Sequence, residues 1–278
     1  MYIDFHTHIF PDQIAARAVG KLEQISKTTA CSDGTLEGLK ASMRKNSIDM
    51  SVILPVVTKP RQFDSVQRFA EQITEKDGIV SFGGMHPLSP DWKEEIRRIA
   101  DSGLKGVKIH PDYQDVYVDD IRLIRCVDYA MELGLTVVLH AGVDIGYPDM
   151  LRCTPRRAVK LMDAVDGRAG TLVFAHIGGH GLWDDVERYM VGRPVYLDTA
   201  HSLDKISVEQ LLRIIRNHGA ERILWATDSP WADQGVFRAY LERLPLTDEE
   251  RRLISHGNAM RLLKIAEPEE IPGREERR

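Results

Sequence analysis

Cysteine is scarce and badly placed for cross-linking. Cys31, Cys126 and Cys153 are far apart and odd in number, which excludes a disulfide framework and offers no thiolate metal site. Free thiols in a reducing compartment fit better. No apolar run reaches the roughly 20 residues that cross a bilayer. The chain opens directly into a strand, without the charged and apolar segments of a secretory signal. The expectation is a cytoplasmic protein with no membrane partner. Positive charge is also in short supply: the net charge is −5, and the one basic cluster is the short tail Arg274 to Arg278. Extended nucleic-acid binding calls for a positive field, so no nucleic-acid partner is expected. A Gly-x-Gly-x-x-Gly fingerprint after the first strand is missing as well, which argues against a dinucleotide-binding open sheet.

What is present is a regular alternation of short apolar runs with amphipathic stretches. Apolar runs at Met1 to His8, Met50 to Pro55, Ile79 to Met85, Lys105 to His110, Leu135 to His140, Thr171 to His176, Val195 to Asp198 and Arg222 to Asp228 read as strands. Helical spacing follows each, as at Gln62 to Lys76, where Phe63, Val66, Phe69, Ala70 and Ile73 make one stripe. Between the first two strands lie two helical stretches, Gln13 to Ile25 and Thr35 to Asn46. That is longer than a plain connection needs and able to cover part of a site. The last helical stretches fall near Asp248 to Ser255 and Asn258 to Ile265. Strands this uniformly apolar belong in a parallel sheet covered outside. Eight units at this spacing in 278 residues predict an α/β fold, a closed (β/α)8 TIM barrel of one domain. The barrel is expected over residues 1–266, with a charged C-terminal tail over 267–278.

The carboxyl ends of these strands carry an unusual residue set. His6 and His8 are two apart on one strand and so face one side. Alone, such a pair is as readily two structural histidines. Beyond it, His86 follows strand three, His110 strand four, His140 ends strand five, His176 ends strand six and Asp228 ends strand eight. Chance would put about one of the ten histidines within three residues of these ends, and six are there. Chemistry in such barrels sits at that mouth, so a catalytic metal centre is expected. Lys108 and His110 share a face, so both could point inward.

IDFHTHIFPD, VVLHAG, VFAHIGGHG, VYLDTA, ILWATDSPW and GNAMRLL, taken together, resemble the amidohydrolase superfamily. They are most like the amidohydrolase-related branch that contains aminocarboxymuconate-semialdehyde and γ-resorcylate decarboxylases. The likeness runs from residue 2 to about residue 265. It implies His6, His8, His140 and Asp228 as metal ligands. It implies His176 as a ligand of a second metal or, in one-metal members, the catalytic group beside a metal-bound water. Two-metal members place a carboxylated lysine or glutamate at strand four; here Lys108 stands there, either carboxylated or paired with a carboxylate. One zinc ion is the expected cofactor, with manganese or a second metal left open. Homo-oligomers are common in the family.

The expected function is a metal-dependent hydrolase of a small-molecule amide, ester or lactone, with Asp228 and His176 as catalytic residues. Zinc would lower the pKa of its water from about 15.7 to about 7. The alternative is a non-oxidative decarboxylase of an aromatic or muconate-like acid, and a TatD-type nuclease is a more distant one. Asp228 could instead cap a turn. His86, His110, Lys108 and Arg152 are the candidates for substrate binding, Arg152 as a clamp on a carboxylate, although arginines at a helix start mostly solvate it. His180 and His201 are placed near the mouth, His218 and His256 away from it. Gly178-Gly179 makes a tight turn or a close approach to substrate.

Overall fold

The computed structural model describes residues 1–165 and 170–266; the tail expected at 267–278 lies outside them. The strands are β1 (Ile3–Thr7), β2 (Met50–Ile53), β3 (Ile79–Ser81), β4 (Gly83–Gly84), β5 (Gly106–Ile109), β6 (Thr136–Leu139), β7 (Thr171–Phe174), β8 (Tyr196–Asp198) and β9 (Ile223–Leu224), paired in parallel in chain order from β1 to β3 and from β4 to β9. β3 and β4 are halves of one stave, interrupted at Phe82, whose N–H still donates to the Ile53 carbonyl at 2.9 Å. The chain's two ends then meet. Phe5 N donates to Trp225 O at 3.1 Å, Asp228 N to His6 O at 2.8 Å, and Thr7 bridges Ser229 in parallel. The eight expected staves therefore close into a (β/α)8 TIM barrel.

Alternation along the staves sorts the core into two layers. Val107, Ile109, Val137, Leu139, Leu172 and Phe174 face the helices, while Val52, Phe82, Val138, Val173 and Leu224 fill the barrel. By that parity Ile3 and Phe5 point inward, so His6 would point out. It does not, because the β1–β2 register slips between Asp4 and Thr7, where β1 takes three steps and β2 takes two. Such a bulge re-aims the side chains after it. His6 and His8 thereby reach the interior. α11 (Asn258–Leu263) closes the opposite end, with Ala259, Met260 and Leu263 in the interior cluster and Asn258 Nδ2 donating to Ala220 O and Ile223 O.

The expected insertion is helical. α1 (Asp12–Ser26) and α2 (Leu36–Asn46) both form, the latter capped by Thr35, whose hydroxyl accepts from Gly38 N. A helix not expected, α9 (Gln234–Arg243), starts at the Asp233 cap and buries Phe237 and Leu241, one turn apart. Helix formation near the end is continuous rather than in two pieces: a π-turn over Leu253–Gly257 joins α10 (Asp248–Arg252) to α11. No helix among the described residues is long and apolar enough to cross a membrane.

Candidate metal centre

Three electron-pair donors converge where the first and last staves meet. His6 Nδ1 lies 2.9 Å from Asp198 Oδ2, and His8 Nδ1 lies 2.9 Å from the Leu54 carbonyl. Both partners are acceptors, so each Nδ1 carries the proton and each Nε2 keeps its lone pair. Those two Nε2 atoms are 3.2 Å apart, and Asp228 Oδ1 is 3.4 Å from one and 3.2 Å from the other. Ligands about 2.1 Å from a tetrahedral cation sit about 3.4 Å from each other. The three groups thus fit a metal ion in both donor type and spacing.

Electrostatics agree with that fit. Burial holds His6 and His140 well below the ordinary histidine range and brings His176 down to about 3, leaving neutral imidazoles. Burial alone would raise Asp228, but the polar imidazoles of His8, His6 and His176 around it keep its carboxyl well below its usual value. Asp228, His176 and His201 also have left-handed backbones, with φ of 75°, 61° and 51°. Strain of about 1–3 kcal/mol per such residue gathers at functional sites.

His140 and His176 form a second pair. His176 Nδ1 faces the Ala200 carbonyl at 2.9 Å, so its Nε2 lone pair faces His140 Nδ1, also at 2.9 Å. The other nitrogen of His140, Nε2, is buried without a hydrogen bond, 3.8 Å from Asp112 Oδ2 and 4.0 Å from Asp144 Oδ2. His110, His140 and Asp144 have metal-like spacing. The two rings, however, are stacked at 4.1 Å and 11°. A metal lies in the plane of each imidazole that binds it, and two parallel planes share no such point. This trio is therefore the poorer cation site.

Lys108 is fully buried, with Nζ 3.1 Å from His6 Nε2. Burial brings its ammonium down to about 8, against the opposing pull of Asp198, Asp228 and Asp144. Among the described residues it is the only lysine or arginine lining a cavity of about 500 Å³ that opens from the cluster. His6, His8, His110, His140, His176, His180, His201 and Asp228 line the same cavity. The Nδ1 atoms of His180 and His201 are buried there without partners.

Two substrate-binding candidates lie off the cavity. Arg152 does not line the cavity; its guanidinium pairs with Asp115 and lies 5.7 Å over the Tyr117 ring. His86 does not line it either, and its Nδ1 accepts from Leu88 N at 3.2 Å in the turn after β4. Gly178 and Gly179 likewise stand off the cavity, facing Val186 and Leu197. Conversely Asp198, no candidate from sequence, anchors His6 and accepts from His176 N at 2.9 Å and Ala200 N at 3.0 Å. Its one sequence signal is a carboxylate at the end of a strand.

The amidohydrolase family model matches residues 3–265. A search of curated proteins found no match. Solved structures with the same fold include 5-carboxyvanillate decarboxylase LigW from Sphingomonas paucimobilis, 19% identical with a TM-score of 0.72 over 95% of this chain and 99% of that one. A dihydroxybenzoic acid decarboxylase from a Polaromonas species, solved with bound manganese, is 17% identical with a TM-score of 0.70 over 95% and 96%. An uncharacterized TIM-barrel protein from Bordetella bronchiseptica is 20% identical with a TM-score of 0.73 over 95% and 98%. With a family match running almost end to end along a barrel whose mouth gathers His6, His8 and Asp228, the chain belongs to the amidohydrolase family and is a metal-dependent hydrolase or carboxy-lyase.

Proposed function

We propose that this protein is a metal-dependent, non-oxidative decarboxylase of an aromatic acid. The observation that carries the reading is the cluster of His6 Nε2, His8 Nε2 and Asp228 Oδ1 in a cavity whose only lysine or arginine, among the described residues, is Lys108. Likeness in fold to decarboxylases over 95% of the chain favours loss of carbon dioxide over the hydrolysis expected first. His6, His8 and Asp228, with His140 and His176 beside them, would hold one divalent cation, zinc or manganese. Bound there, the cation supplies a positive charge for the substrate carboxylate and an adjoining oxygen.

The chain's own groups do the rest. Lys108 adds a second positive charge at the same point, which orients the carboxylate. Asp228, held ionised, takes a proton from a substrate hydroxyl or a water and returns it to the carbon bearing the carboxylate. As that carbon–hydrogen bond forms, the bond to the carboxylate breaks and carbon dioxide leaves, its bonding pair returning to the ring. His176, fixed by Ala200 O, accepts at Nε2 from His140 Nδ1 and so orients the His140 ring. Hydrolysis keeps one supporting observation: an ionised Asp228 is also the base that an attacking water requires. The test is manganese-loaded protein assayed against carboxylated aromatics for carbon dioxide and against esters and lactones for acid. Carbon dioxide release is expected; acid release alone would overturn the reading.

A further inference from the structure

The cavity has two unlike walls. One carries the imidazoles, Lys108 and Asp228. The other is mostly apolar, from Ile14, Ala18 and Leu22 of α1, Val66 and Phe69 of α3 (Phe63–Ile73), and Ile145, with the uncharged Ser26, Thr58, Gln62 and Ser65 at its edges. On α1 the buried residues are Ala15 and Val19. Ile14, Ala18 and Leu22 form a separate stripe at i, i+4 and i+8, turned to the cavity instead. That stripe is about 12 Å long at 1.5 Å per residue. Ile14 stays 38% exposed, an isoleucine at the cavity with nothing yet covering it. Among the described residues no arginine lines any part of the cavity.

We infer that the substrate carries a single acidic group, at its reacting end, and that the rest of it is an uncharged apolar body lying along α1. A second carboxylate directed at that wall would lose its water and meet no cation among the described residues, since Lys108 lies at the reacting end, beside His6. An apolar body there removes the stripe from water and gains affinity with each carbon buried. Diacids, including muconate-like ones, are thereby selected against. The inference rests on the cavity being the substrate site and narrows the acid it takes.

The test measures binding, not turnover. Manganese-loaded protein is titrated with n-alkyl hydroxamates of increasing length and with the same chains ending in a carboxylate. Affinity of the methyl-ended series should rise about fourfold per methylene until the wall is covered. The carboxylate-ended members should bind at least 100-fold more weakly than their methyl-ended counterparts. In Ala18→Asp, a half-exposed helix position whose folding is checked by circular dichroism, the length dependence should vanish while manganese content stays at wild-type level. Equal affinity of the two series, no length dependence in the wild type, or no binding by any member would overturn the inference. A chain-length dependence without carbon dioxide from any acid would sink decarboxylation and leave the apolar wall standing. Carbon dioxide release with a flat series would do the reverse.

Discussion

Replacing Asp198 with asparagine should weaken metal binding although Asp198 is not itself a donor to the ion. The side chain has no exposed surface, and its two oxygens do different work. Oδ2 receives the His6 Nδ1 proton at 2.9 Å, while Oδ1 accepts from His176 N and Ala200 N. Asparagine has the same shape but only one oxygen. If that oxygen stays on the two backbone N–H groups, the amide NH2 confronts His6 Nδ1 donor to donor. His6 then escapes by moving its proton to Nε2, which removes the lone pair aimed at His8 and Asp228. If the amide turns over, the NH2 confronts two N–H groups, at about 1–3 kcal/mol for each buried donor left unpaired. The first arrangement is cheaper, so the loss should fall on the metal. Outer hydrogen-bond partners of this kind are worth about 10–100-fold in metal affinity, or about 1.4–2.7 kcal/mol. Isothermal titration of metal-stripped wild type and Asp198→Asn with manganese reads that difference, with the unfolding midpoint as a check on folding. Wild-type affinity in the variant would refute the tautomer reasoning.

Three further outcomes follow from other parts of the molecule. Burial pushes the Asp4 carboxyl up to about 6 from 3.8. The folded protein therefore holds this proton more tightly than the unfolded chain does. The stability linked to it is full below about pH 4 and is lost as pH rises through 6, a change of about 3 kcal/mol; urea unfolding should show this pH dependence for wild type relative to Asp4→Asn, and parallel curves would contradict it. Gly142 has φ of +88° and a Cβ there would fall 2.0 Å from His180 N, whereas Gly103 has φ of +82° with nothing within 4 Å. Gly142→Ala should thus lose about 3 kcal/mol or more in urea unfolding, against about 1 kcal/mol for Gly103→Ala, and equal losses would mean the clash is relieved elsewhere. His201 Nδ1 is buried at the cavity without a partner, so His201→Ala should raise KM about three- to tenfold with little change in kcat once a substrate is in hand; a loss confined to kcat would place His201 in the chemistry.

The staves were legible in the sequence because apolar runs bounded by turn residues are what a doubly covered parallel sheet demands. The mouth was legible because histidines recur at one end of them. Residues whose role depends on packing were not. Nothing in IDFHTH tells that the register slips before Thr7, because a bulge is a property of two strands and not of one. Asp198 reads as an ordinary polar strand end until His6 is seen against it. Arg152 follows strand five as a substrate clamp would, yet Asp115 and Tyr117 hold it away from the cavity. α9 went unread because its glycine, Gly235, and its thin stripe of Phe237 and Leu241 weaken the helical pattern.

His6 and His8 stand on the first stave and Asp228 just past the last, on either side of the line where the cylinder closes. An ion held by all three stitches the chain's beginning to its end, across more than 200 intervening residues. Chelation would then loosen this one suture before it touched any other pair of neighbouring strands. The first amides to exchange with solvent would be those of Phe5, His8 and Asp228, so the cofactor doubles as the fastener of the architecture that holds it.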